Sequence, residues 1–263
     1  MLHSDCCEKR FLAVTRRGHM KVIQANCRIQ FTPQDIAFLI ETLEQCPEQR
    51  QAIQGLFTDL ETRGLLLDSE ALYEAIIDTP NNLPISLHLF FYVTVRRVLK
   101  KRGIDDENVA DYVAELLTEF TRLSPSSKEA HNSQKHELGL DAWMDNLQNA
   151  SSRDSFERKA HIANRLLFHT GIQEDWLRKR TDRTGAPSLE FYESLAPRFY
   201  RGASEHRLAE KYELREVFEH LAESFHETRV ALNDLATRLL HLDEPSFPIL
   251  DRRGTRPDRN PDP

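Results

Sequence analysis

After Met20 the chain alternates cleanly between apolar and polar positions. Ile23, Ala25, Cys27, Ile29 and Phe31 are apolar; Gln24, Asn26, Arg28 and Gln30 between them are polar. A period of two predicts a half-buried β-strand. A strand needs a partner. Phe11–Thr15 supplies one as a hairpin through Arg17-Gly18-His19; a second chain is the other source.

From Thr32 onward the pattern becomes helical. Thr32-Pro33 reads as an N-cap followed by proline at the first helical position. Ile36, Leu39, Ile40 and Leu43 follow at helical spacing, and Pro47 ends the helix. A second helix is predicted over 48–63, stopping at Gly64, and a third from Ser69 to Pro80. The fourth, over 84–102, is apolar nearly all round, which marks a central buried helix. Basic residues end it and Asp105, Asp106 and Glu107 open a fifth, so both ends complement the helix dipoles.

Residues 124–137 lack apolar periodicity and read as a linker. Beyond them a helix is predicted over 153–169, a short one around Trp176, a turn over 180–187, and another helix from Pro187 to Arg201. One long helix then runs from Ser204 to Leu242. Along it Leu214, Phe218, Leu221, Phe225, Thr228, Leu232, Leu235, Leu239 and Leu242 form an a/d stripe. The flanking Val217, Ala222, Ser224, Ala231 and Ala236 are small or apolar, with Arg229 as an exception. Small residues widen the buried face, so the stripe is assigned to the core of a bundle rather than to an exposed zipper. The expected fold is all-α: a multi-helix bundle with a long C-terminal helix and a short N-terminal β-strand or hairpin. The expected organisation is an arm and strand over 1–31, helical bundles over 32–123 and 139–242 flanking a linker at 124–138, and a disordered tail over 243–263.

Composition narrows the functional classes. The 263 residues carry a formal net charge of −7, with mean hydropathy −0.56. An acidic surface repels phosphate backbones, which weighs against nucleic acid. No apolar run reaches the roughly 20 residues of a membrane span, and Leu2–Gln30 lacks a secretory apolar core. Cys6, Cys7, Cys27 and Cys46 all lie in the first fifth of the chain, with no CxxC and no zinc spacing. A reduced, cytoplasmic protein is expected. Nine glycines leave little room for phosphate-cradling loops, and GxGxxG, GxxxxGK[ST], HExxH and GxSxG are absent.

Glu223-x-x-His226 is the one metal-like spacing, but the a/d register turns both residues outward, so no metal and no cofactor are expected. A softer cluster lies in the second half. His161, Arg165 and His169 share one helix face, and the segment after Pro187 adds Tyr192, Arg201 and His206. If these elements meet, arginine would hold an anion and histidine would move a proton. Basic runs at Arg96–Arg102 and around Arg178, Lys179, Arg180 and Arg183 are read as dipole compensation and solvated charge.

The leading expectation is a non-catalytic interaction or regulatory protein. It would act through helix faces and self-associate through the 22–31 strand or the long helix. The alternative is a small-ligand or cofactor-binding helical protein, or an enzyme, using His161, His169, Tyr192, Arg201 and His206.

Overall fold

The computed structural model describes residues 22–44, 55, 60–78, 84–123 and 152–240. Among them every regular element is helical. A 3-10 turn (Cys27–Gln30) precedes α1 (Pro33–Leu43), α2 (Leu60–Leu67), α3 (Glu70–Asp78), α4 (Leu87–Lys101) and α5 (Glu107–Leu123). The second half contains α6 (Ser152–Gly171), α7 (Glu174–Thr184), α8 (Leu189–Ser204), α9 (Arg207–Lys211), α10 (Arg215–Glu223), α11 (Phe225–Leu235) and a π-helix (Ala236–Leu240). No helix among the described residues is long and apolar enough to cross a membrane.

Local chemistry sets the boundaries. Thr32 caps α1 in a full capping box: its hydroxyl accepts from Asp35 N, and Asp35 Oδ2 accepts from Thr32 N at 2.7 Å. The other Asp35 oxygen accepts from Ser86 N at 2.7 Å, so one buried carboxylate joins the starts of α1 and α4. Ser86 caps α4 through Leu89 N. Beyond α4, Gly103 takes the left-handed conformation (φ 82°) and Ile104 N donates back to Leu99 O, a tight C-terminal stop.

As its all-round apolarity predicts, α4 is central: every side chain from His88 to Arg96 is buried. It packs on α5 and α11, while α6 packs on α8 and α11. One continuous cluster of buried residues runs from Cys27 to Ala236 and joins both halves. Across the halves, the Tyr112 ring meets Phe218 edge-on at 5.4 Å. The hydroxyls of Tyr112 (α5) and Tyr200 (α8) both donate to Asn164 Oδ1 (α6), each at 2.9 Å.

Two sequence expectations are corrected. No strand forms over Ile23–Phe31. The alternation breaks within that segment: Cys27 is wholly buried while Ile29, at the same parity, is 74% exposed. Instead of a strand neighbour, the backbone N–H of Arg28 finds the Asp111 carboxylate at 2.8 Å. The proposed hairpin partner, Phe11–Thr15, lies outside the described residues.

The single long C-terminal helix is also replaced, by α9, α10, α11 and the π-helix. Glu213 adopts a left-handed φ of 56° and separates α9 from α10. At Ser224 (φ −104°, ψ 26°) the backbone bends, and the hydroxyl donates to His220 O at 2.7 Å beside the Ser224 N–H, which donates to the same carbonyl at 2.8 Å. Ser204, expected to open the long helix, is instead the last residue of α8. The apolar stripe survives these breaks, because Leu214, Phe218, Leu221, Phe225, Thr228, Leu232 and Leu235 are all buried in the core. Boundaries shift elsewhere too: α2 runs through Gly64 to Leu67, and α7 continues through the expected turn to Thr184. The expected linker at 124–138 and the tail at 243–263 lie outside the described residues.

Candidate functional site

The five candidate residues fall into three places. His161 and His169 lie on α6, with Arg165 between them at helical spacing. Phe156, Ala160, Ala163 and Leu167 on the opposite face are buried, as the pattern requires. From His169 a string of contacts leads to Tyr192. His169 Nδ1–H donates to Gln173 Oε1 at 2.7 Å, which leaves Nε2 as the acceptor nitrogen. The imidazole lies 5.7 Å from the Trp176 ring. The Arg180 guanidinium sits 5.7 Å over the same indole and donates to the Tyr192 hydroxyl at 3.3 Å.

His206 is elsewhere. It caps α9 by accepting from Leu208 N at Nδ1 (3.1 Å), so in the neutral ring the proton sits on Nε2, 2.8 Å from Ser152 Oγ. Its ring stacks on Phe156. Ser152 opens α6 and His169 lies 17 residues further on, which at the helical rise of ~1.5 Å per residue is roughly 25 Å. Arg201 is exposed near the end of α8, and its carbonyl accepts from Glu205 N and from the Ser204 hydroxyl. His169 and Tyr192 thus share a site, His161 stands two turns up the same helix, and Arg201 and His206 stand apart.

Electrostatics define what the α6 imidazoles can do. Burial, then the nearby Arg165 charge, pushes His161 and His169 each down to about 3. Rings held neutral this firmly accept or donate hydrogen bonds at neutral pH. They are poorly matched to general-base work, which favours a pKa near the working pH. Burial also lowers Arg165 to about 10.

A second polar assembly escaped the sequence reading. Glu107, Asp111 and Glu115 stand at i, i+4 and i+8 along α5 and receive the 27–30 turn. Arg28 pairs with Glu107 and, through Nε at 3.3 Å, with Asp111. Gln30 donates to Glu115 at 3.0 Å. His88 Nε2 lies 3.3 Å from Glu115 Oε2, without hydrogen-bond geometry. Arg28 and Phe31 both meet the Tyr92 ring, and Cys27 donates its thiol hydrogen to His88 O. Burial raises the Asp111 carboxyl against the opposing pull of Arg28, and burial likewise pushes the Cys27 thiol up, so no reactive thiolate forms there. The carboxylates at four-residue spacing were visible in the sequence. Their target was not, because alternation had assigned Arg28 to a strand.

Glu223 and His226 are both exposed, and His226 Nδ1 is hydrogen-bonded to Glu193 on α8. Among the described residues no group of three or more His, Cys, Asp or Glu is placed to hold a metal ion. Buried Arg229 pairs with Glu174 at 2.7 Å and Glu193 at 3.5 Å, which explains a charge flanking the apolar stripe. The chain matches no family model, no curated protein and no solved structure.

Proposed function

We propose that the chain is a non-catalytic interaction protein that self-associates through the face around Glu107. The observation that carries this reading is a pair of exposed aliphatic side chains, Ile29 (74%) and Leu65 (71%). Each follows a residue seated against the same carboxylate: Arg28 pairs with Glu107, and Gly64 lies so close that a Cβ there would collide with it. A single exposed aliphatic is ordinary on any surface. Two of them beside one ion pair are a better docking feature. Water contact with apolar area costs about 25 cal/mol per Å², and a partner relieves it.

A second copy is the occupant that fits. A twofold contact apposes a patch to itself, and the Arg28–Glu107 pair is already neutralised within the chain, so the like patches meet without net repulsion. Sedimentation velocity of the full chain tests this, comparing wild type with the Ile29→Asp/Leu65→Asp double variant. The expected result is a concentration-dependent dimer that the double variant abolishes, with helical circular dichroism unchanged. A wild-type chain that stays monomeric at its highest soluble concentration overturns self-association.

A further inference from the structure

A cleft of about 50 Å³ opens between α3, α4 and the junction of α11 with the π-helix. It is lined by Tyr73, Val98, Lys101, Asp234, Leu235 and Arg238. A water molecule needs about 10–15 Å³ on the same measure, so the cleft seats a headgroup of a few atoms and no more.

The charges at its mouth do not cancel. Asp234 is taken by Arg102 at 2.6 Å. Arg97, beside the cleft with its guanidinium 5.3 Å from the Tyr73 ring, is taken by Glu70. The Lys101 ammonium lies 5.6 Å from the same Tyr73 ring centroid, and among the described residues neither it nor Arg238 forms an ion pair with a carboxylate. Among the described residues, two cations at this one small opening are therefore without a carboxylate partner. Val98 and Leu235 supply the apolar part of its lining.

The backbone gives an independent pointer. Arg238 stands in a π-helical segment, Ala236–Leu240, that continues directly from α11. π-Helical turns are rare, and as single-turn bulges inside α-helices they are frequent at functional sites. Here the irregular turn carries one of the two unpaired cations.

We propose that this cleft binds the phosphate group of a small ligand, with Lys101 and Arg238 as its charge partners and the Tyr73 hydroxyl as a further donor. Two unmatched cations favour a dianion over a monoanionic carboxylate. The arginine fork suits two phosphate oxygens, and lysine adds a point charge. The apolar walls would meet whatever short stem the phosphate carries. This site does not depend on self-association around Glu107.

Isothermal titration of the full chain with inorganic phosphate tests the proposal, with sodium chloride at matched ionic strength as the control. The expected result is saturable binding of one phosphate per chain. Lys101→Gln and Arg238→Gln, both at exposed positions, should each weaken it about tenfold, as loss of a charge-assisted hydrogen bond implies. The double variant should not bind, while its circular dichroism matches wild type. Equal heats with chloride, or undiminished binding in either single variant, overturn the site. Butyrate binding there as tightly as phosphate overturns the dianion assignment.

Discussion

Asn164 shows how much a single side chain can organise. Its amide oxygen accepts from two buried phenols on two other helices, so α5, α6 and α8 meet at one atom. Replacing it with leucine strands both hydroxyls without water. The expected loss is about 2–5 kcal/mol, whereas Tyr112→Phe removes one donor and leaves the amide oxygen bonded to Tyr200, at about 1 kcal/mol. Urea unfolding of the two variants measures the difference, and equal losses would refute the shared-acceptor account. Nothing in the spacing of the two tyrosines along the sequence pointed to a common partner. The same holds for His206, which looked like proton-transfer chemistry and is used to cap a helix and stack on Phe156.

Among the helices, close approach is decided by two glycines with different neighbours. A Cβ at Gly171 would stand 2.8 Å from Leu232 Cβ, near the backbone of α11. Gly171→Ala should therefore force α6 and α11 apart and cost about 1–3 kcal/mol. At Gly64 the obstacle is the end of the Glu107 side chain, which can swing away. Gly64→Ala also gains helix propensity, so it should change stability by less than about 1 kcal/mol. Thermal melts of the pair check the contrast. Element identity was legible wherever apolar residues recurred at 3.6: α1, α3, α4, α5, α6 and α8 are all foreseen. Local polar competition was not legible. The α10–α11 bend falls at Ser224, whose hydroxyl also bonds His220 O, and the 27–30 turn is held by a carboxylate some eighty residues away. The apolar stripe predicted which face is buried, and it carried no information about where the backbone would bend.

For the whole molecule, the neutral α6 imidazoles make stability depend on acidity. In the unfolded chain each histidine takes up a proton near pH 6.5, but the folded chain resists until about pH 3. Unfolded protein therefore binds more protons between these limits. Stability from these two groups is fully present above about pH 6.5 and drains away as the pH falls toward 3. His161→Gln/His169→Gln should flatten that part of the profile, seen as a smaller drop in urea midpoint between pH 7 and pH 5. An unchanged drop would remove the imidazoles as its source.

The sealed sulfur of Cys27 has a practical corollary. It is wholly covered, and its hydrogen is engaged by the His88 carbonyl. An alkylating reagent can reach it only in the fraction of molecules whose Cys27–Gln30 turn has lifted from the carboxylate row on α5. The pace of its modification therefore clocks that local opening, separately from global unfolding.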